Sequence, residues 1–433
     1  MKKNFFFIIV SLILICSIFY YFVSKKFTYL KILSLIFSSN EQITRILHLE
    51  KTLNEQNSFI KKLLKEKNFS YNQSFFPSTQ FLELNYREVE LPIGMLGKQD
   101  RKLPNYNSTP ISSFYLDILN NDGYIISRYG QLFKFDVDTL FKQNELEFKK
   151  INNNLNNSYI ITDLLINNNK FYVATFDELK CSSIIFVGAI NDDFIDFRLF
   201  HQNKHIDNCY KYPTGGRLAL FNNTVLFTTD SYQFISNEEK KKYTKIFQKE
   251  HLGATIAIDL FNQKTKLISK GHRNPQGLVV INNQDILITE HGPKGGDEIN
   301  KILLDKDYGW PEVSFGEPYN FDIKNKNYLL KKNHKLNGYQ EPIYAFVPSI
   351  GISQIIKVEK EFSSNWENSF LITSLNGSVI YRTVFNDDYT KVLFTEEIKI
   401  GKRIRDIIYE PKRKFFILAL ENDNGSLGII SVK

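Results

Sequence analysis

Tyr159-Ile-Ile-Thr-Asp-Leu-Leu-Ile166, followed by Asn167-Asn-Asn169 and a second apolar run from Phe171, alternates as a half-buried strand does and then turns through residues that tolerate left-handed backbone. The same cycle stands upstream as Ile111-Ser-Ser-Phe-Tyr-Leu-Asp-Ile118 with the turn Asn120-Asn-Asp-Gly123. Downstream it returns as Gly216-Arg-Leu-Ala-Leu-Phe221 with Asn222-Asn223, and as Gly277-Leu-Val-Val-Ile281 with Asn282-Asn-Gln-Asp285. Ile352-Ser-Gln-Ile-Ile-Lys-Val358 and Ile404-Arg-Asp-Ile-Ile-Tyr-Glu410 complete a set spaced at about sixty residues, the interval of a propeller blade rather than of a short solenoid repeat. The expectation is an all-β chain, a six-bladed β-propeller over 110–433, in which ring closure protects the sheet edges and the first strand of each blade lines a central tunnel. A large β-sandwich is the alternative that alternation alone leaves open.

Composition agrees with a large folded domain. Hydrophobic residues make up 42% and charged residues 24% of 433, and the aromatic share of 14%, with 37 Phe, favours strands. The net charge of +8 comes from lysines scattered beside acids rather than from one basic stripe, which argues against nucleic acid as a partner. Asn-rich stretches such as Asn152 to Asn157 read as loops.

The N-terminal region reads differently. Phe5 to Val23 is apolar apart from Ser11, Cys16 and Ser17, long enough to cross about 30 Å of hydrocarbon as a helix, with Lys2 and Lys3 before it and Lys25 and Lys26 after. We expect an uncleaved transmembrane anchor at 1–26, an interfacial segment and helical stalk at 27–70, and a linker at 71–109. In the stalk Ile46, Leu49, Leu53, Ile60 and Leu63 share one stripe, which suits either an oligomerising coiled coil or a helix packed on the domain. We expect a single-pass protein of the inner membrane with the propeller facing the periplasm or outside, although the lysines flanking the run are too evenly matched to set that orientation by themselves. Of three cysteines, Cys16 lies in the apolar run, while Cys181 and Cys209 either form a disulfide or remain free thiols.

Chemistry concentrates at the entries of the later copies. Arg403 and Arg405 flank Ile404, and on a regular strand positions i and i+2 share a face, so two guanidiniums there call for a bound anion or an acid such as Asp406 or Glu410. Arg273 and Asn274 precede Pro275, in a rigid turn that either aims them into the tunnel or binds loop carbonyls. Glu290-His-Gly-Pro-Lys-Gly-Gly-Asp-Glu298 combines exposed carbonyls with hard carboxylates, a set that suits calcium, or else is a solvated acidic turn.

Taken together, Gly271-His-Arg-Asn-Pro-Gln-Gly277, Glu290-His-Gly-Pro-Lys-Gly-Gly-Asp-Glu-Ile-Asn300, Tyr308-Gly-Trp-Pro311, Glu341-Pro-Ile-Tyr-Ala-Phe-Val-Pro-Ser-Ile350, Trp366 with Ser374-Leu375, and Arg403-Ile-Arg-Asp406 resemble the glucose/sorbosone dehydrogenase family. These soluble quinoproteins bind pyrroloquinoline quinone (PQQ) and calcium. The resemblance implies oxidation of an aldose at C1 to the lactone, with hydride transfer to the C5 carbonyl of PQQ. It also implies that Arg273 polarises that carbonyl, that Asn274 contacts the cofactor, and that Arg403 and Arg405 hold its carboxylates. The main-chain oxygens of Gly292 and Pro293 match ligands of the calcium on PQQ, with Asp297 beside it, and Glu298 and Tyr308 match ligands of a structural calcium.

Three positions depart from the family pattern. Pro213 stands where the family has its histidine base, which leaves Tyr212, His205 and His291 as substitutes, and a tyrosine is a poor base at neutral pH. Ser158-Tyr-Ile-Ile-Thr-Asp163 replaces the usual second-blade entry, and Asn376 replaces a lysine of the carboxylate clamp. The alternative function is a non-catalytic, calcium-stabilised propeller that binds a glycan or a protein.

Overall fold

Left-handed backbone at Asn120, Asn168, Asn169, Asn222 and Asn282, with φ between 47° and 59°, closes the first hairpin of four successive sheets. Asparagine adopts this region at less cost than other residues with a Cβ, which explains the recurrence of Asn between the apolar runs. The computed structural model describes residues 82–97, 112–142, 146–180, 182–203, 215–231, 251–318 and 330–433. The proposed anchor and stalk, His205, Tyr212, Pro213, Cys181 and Cys209 lie outside them. Among the described residues no helix is long and apolar enough to cross a membrane.

The strands form six antiparallel sheets, one per predicted copy, so the architecture is a six-bladed β-propeller. The innermost strands are Phe114–Leu119, Tyr159–Asn167, Leu218–Phe221, Pro275–Ile281, Ile352–Lys357 and Arg403–Glu410, which open blades 1 to 6 in that order. Blades 1 and 3 each gain a fifth, parallel strand, Phe194–Ile195 and Lys306–Asp307. Between every pair of neighbouring blades lies one apolar cluster, for example Leu226 with Leu278 and Ile288 between blades 3 and 4, or Phe415 and Leu427 with Phe114 and Ile125 between blades 6 and 1. Each fully buried side chain of this kind contributes about 1.5–3 kcal/mol, so the ring is held by its seams.

One sequence expectation needs correction. Leu84–Glu90, within the stretch read as linker, is the outermost strand of blade 6 and pairs antiparallel with Ser426–Val432 in seven successive residue pairs. Leu-Asn-Tyr-Arg-Glu-Val-Glu lacks the apolar alternation of the inner strands because it lies at a sheet edge, where only Val89 is buried. The chain therefore closes its own ring, with Glu88 reaching Ser426 and Lys402.

Polar groups also cross the seams on the axial side. Asp117 of blade 1 accepts the Ile166 N–H of blade 2, Asp163 of blade 2 accepts Leu218 N–H at 2.7 Å, and Asp406 of blade 6 accepts Leu116 N–H at 3.1 Å. Gln354 of blade 5 accepts Leu278 N–H of blade 4 at 3.0 Å. Inner strands carry bulges near these positions, at Ile161/Asp163, Pro275/Gly277, Ile352/Ile355 and Ile404/Asp406. A bulge re-aims a side chain, and here it turns polar groups toward the axis.

Candidate functional site

Arg217 stands at the centre of the ring. Its Nη1 donates to Asp163 at 2.9 Å and Asp406 at 3.0 Å, Nε to the Gln276 carbonyl at 2.6 Å, and Nη2 to the Arg405 carbonyl at 2.9 Å. One fully buried guanidinium thus joins blades 2, 3, 4 and 6 and fills the axis. Gly216 before it has φ 103°, and a Cβ there would collide with Thr162, so only glycine lets the strand approach the axis. Burial pushes the Asp163 carboxyl up to about 7 despite Arg217, and burial likewise lifts Asp117 to about 7.

Above this floor, the Gly271–Asn274 loop is fixed by Glu290. The buried carboxylate accepts from His272 Nδ1 at 3.0 Å, Arg273 N–H at 2.7 Å and Asn300 Nδ2 at 2.8 Å. Burial alone would raise its pKa, yet His272 and the backbone donors hold it below the usual carboxylate range. His272 in turn stacks on Tyr308 at 4.5 Å. The Arg273 side chain lies 5.2 Å from the Trp310 ring, and its Nη1 donates to the carbonyls of His291 at 2.9 Å and Gly292 at 2.8 Å. Its Nε and the Trp310 Nε1 are buried and find no partner among the described residues. Such orphaned donors are costly, and a ligand acceptor would satisfy them.

The structure brings Arg405 of blade 6 and Asn274 of blade 4 onto one shared partner, Gln276. Arg405 Nη1 donates to Gln276 Oε1 at 2.9 Å, and Gln276 Nε2 donates to Asn274 Oδ1 at 2.7 Å, so residues of blades 6 and 4 form one line of polar contacts. His291 meets the same field: burial above all, and then the charges of Arg273, Arg405 and Arg403, push its pKa down to about 4. It is therefore a neutral imidazole at physiological pH.

The arginine pair also shows what the sequence did not. Its anion is internal: Glu421 accepts Arg403 Nε at 2.9 Å and Arg405 Nε at 2.7 Å, and is fixed further by Ser113. Neither Asp406 nor Glu410 plays this part, since Asp406 serves Arg217 and Glu410 lies by Arg413. Glu421 stands on the neighbouring strand, opposite Arg403, a relation visible only once the strands are in register.

Asp297 is engaged within the protein. Its oxygens accept Gly292 N–H at 3.1 Å, Ile350 N–H at 3.0 Å and Ile352 N–H at 2.9 Å, together with the Ser349 hydroxyl. These bonds tie the Gly292 loop to blade 5. Gly292 itself is required, because a Cβ would strike the carbonyls of Gly295 and Gly296. Asn376 sits in the tight turn after blade 5's second strand, its N–H on the Ile350 carbonyl at 3.1 Å.

Among the described residues no group of three or more His, Cys, Asp or Glu is placed to hold a metal. The donor set nearest to one lines a polar pocket with Glu290, Glu298, Tyr308 and His334. Burial, and then the charge of Glu290, push the Glu298 carboxyl well above the usual range, and Asn300 Oδ1 nearby is a buried acceptor with no partner. Two buried carboxylates and an unsatisfied amide oxygen are hard donors that a calcium ion fits. At Gly292 the donor set is poorer, since that carbonyl is already held by Arg273.

Comparison with known proteins agrees with this geometry. The glucose / sorbosone dehydrogenase family model matches residues 191–429. The chain is 31% identical over 160 residues to an uncharacterized Synechocystis protein, 26% identical over 274 residues to the aldose sugar dehydrogenase YliI of Escherichia coli, and 28% identical over 189 residues to quinoprotein glucose dehydrogenase B of Acinetobacter calcoaceticus. Those matches take in 37%, 60% and 33% of this chain, and span 37%, 71% and 40% of the relatives' own lengths. In structure it is similar to the apo-form soluble aldose sugar dehydrogenase of Escherichia coli, with a TM-score of 0.61 at 18% identity over 81% of this chain and 100% of that one. It is also similar to the PQQ-bound aldose sugar dehydrogenase of Streptomyces coelicolor, with a TM-score of 0.54 at 13% identity over 81% and 99%. Because the family match covers more than half of the chain, this protein belongs to the glucose/sorbosone dehydrogenase family.

Proposed function

We propose that this chain is a quinoprotein-type sugar dehydrogenase that oxidises an aldose at C1 to the lactone, with PQQ as its cofactor. The observation that carries the reading is the line of contacts from Arg405 through Gln276 to Asn274, beside Arg273, with Arg403 held next to Arg405 on Glu421. The residues present suit a flat anionic ligand: Arg403 engages protein only through Nε, and Arg273 Nε and Trp310 Nε1 are orphaned donors. Bound PQQ would supply the two-electron acceptor for the C1 hydride.

The chain's own part is binding, orientation and proton handling. Arg403 and Asn274 would hold the cofactor, and Arg273 would place positive charge against the oxygen on which negative charge develops. Glu298 with Glu290 would hold a structural calcium ion; the resemblance assigns a second ion to the carbonyls of Gly292 and Pro293, of which the Gly292 oxygen already accepts from Arg273. His291, a neutral imidazole, can accept the proton released from the C1 hydroxyl. Its low basicity rises when ligand carboxylates offset the arginines around it. The hydrophobic N-terminal run would anchor the protein in the inner membrane with the propeller in the periplasm.

Internal satisfaction of the site favours a second reading. Arg405 is fully engaged by protein, and Pro213 replaces the family's base, as in a propeller that binds a sugar or glycan without turnover. Reconstituting the full chain with PQQ and calcium and measuring aldose-dependent dye reduction separates the two. Turnover with a quinone absorbance shift is expected, and calcium-stabilised protein with neither would leave the binding module.

A further inference from the structure

The arginine pair presents itself to a ligand unequally. Arg405 uses all three nitrogens within the protein, Nε and Nη2 on Glu421 Oε1, each at 2.7 Å, and Nη1 on Gln276 Oε1 at 2.9 Å. Its side chain is 5% exposed. Arg403 gives only its Nε to Glu421, at 2.9 Å, and is 26% exposed, so both of its Nη groups remain for an incoming acceptor. Glu421 is wholly buried behind the pair. The position that the family resemblance assigns to a lysine is the neutral Asn376.

We infer that Glu421 sets the charge that this arginine pair accepts: a resident carboxylate that consumes Arg405 and part of Arg403, so that a single guanidinium edge is left for a ligand. The inference rests on the reading of the pair as part of a site for an anionic cofactor and deepens it by naming what limits the ligand's charge. A carboxylate behind the guanidiniums leaves a ligand's first carboxylate a free fork on Arg403. A second carboxylate meets Arg405 already neutralised and gains little. Removing the charge of Glu421 while keeping an oxygen to accept from Nε reopens Arg405 electrostatically. The ligand then supplies the anion that the protein no longer does. At the separations involved, one unit charge in a partly desolvated site shifts a binding constant by about ten-fold or more.

The test is titration calorimetry of the full-length wild type and of Glu421→Gln with benzoate and isophthalate, aromatic mono- and dicarboxylates without redox chemistry, and with PQQ. In the wild type isophthalate is expected to bind within about three-fold of benzoate, whereas in Glu421→Gln the second carboxylate gains about ten-fold or more. A wild type that already gains about ten-fold from the second carboxylate overturns the inference, even if the variant fails to fold. So does a variant with an unchanged or smaller step, or an absence of binding in both proteins. Should the aromatic carboxylates behave as expected while PQQ binds neither protein, the role of Glu421 stands and the PQQ reading falls.

Discussion

Replacing Arg217 by methionine keeps most of the hydrocarbon stem and removes the one cation set between Asp163 and Asp406, 2.9 Å and 3.0 Å away, all three side chains being buried. Breaking a buried ion pair by deleting one partner costs about 3–5 kcal/mol, because the remaining charge is stranded. The carbonyls of Gln276 and Arg405 lose donors now at 2.6 Å and 2.9 Å. Each adds about 1–3 kcal/mol if water does not replace the donor. The expected loss of about 5 kcal/mol or more is comparable with the whole stability of a domain, about 5–15 kcal/mol. Its pH dependence has a definite sign. Without the cation the Asp163 carboxyl, already raised to about 7 by burial, takes up its proton more readily in the folded state, so the destabilisation shrinks towards about pH 5 and grows towards about pH 8. Urea unfolding followed through Trp310 and Trp366 at both pH values measures it. Adding Asp163→Asn and Asp406→Asn to Arg217→Met removes the stranded charges while keeping oxygens for Leu218 N–H and Leu116 N–H, and should recover about half of the loss. A methionine variant within about 1 kcal/mol of wild type at both pH values, or a triple variant no more stable than the single one, would refute the argument.

Three further outcomes follow from the same geometry. Burial raises Asp117 and Asp163 from the ordinary carboxyl range to about 7, so the folded state binds more protons than the unfolded one in that window; stability should fall as pH rises from about 4 through about 7, and Asp117→Asn should flatten the slope in unfolding curves. Calcium should raise the melting temperature of the wild type and a chelator reverse it, whereas Glu298→Gln, relieved of repulsion from Glu290, should be at least as stable without calcium and lose the calcium response. Deleting residues 1–90 exposes the edge of Ser426–Val432 and should lower both solubility and melting temperature, while deleting 1–81 should leave both near those of the full chain when each is tested in matched detergent; equal behaviour of the two truncations would deny Leu84–Glu90 its place in blade 6.

The ring itself was legible because each blade repeats a local signal. Alternation at Tyr159–Asn167 or Arg403–Glu410 and asparagine at the following turn are properties of neighbouring residues, and the strands lie where that pattern puts them. Leu84–Glu90 was illegible for the opposite reason: an edge strand with one buried side chain has no apolar face to alternate. The site was legible only as residue types. Arg273, Asn274, Arg403 and Arg405 could be picked out as residues that need partners, but the partners Glu421, Gln276 and Glu290 come from other strands, and nothing in spacing names them. A bulge between Ile404 and Asp406 interrupts the regular alternation that would put Arg403 and Arg405 on one face, yet both side chains reach the same carboxylate. Arg217, one residue of the run Gly216-Arg-Leu-Ala-Leu-Phe221, proved to be the axial plug because its four partners are brought in by three other blades.

The closing strand of blade 6 has a consequence for biosynthesis. Glu88 and its partner Ser426 are 338 positions apart, so at about 5–20 residues per second the early strand emerges tens of seconds before anything exists for it to pair with. Throughout that wait it is a solitary ribbon with open amides, the kind of segment that recruits neighbours from adjacent ribosomes. Glu83, Arg87, Glu88 and Glu90 give it a dense mixture of charges, which discourages such recruitment until the final strand leaves the exit tunnel. The weak apolar pattern that hid this segment from sequence reading is thus the same trait that lets the first-made strand survive to meet the last.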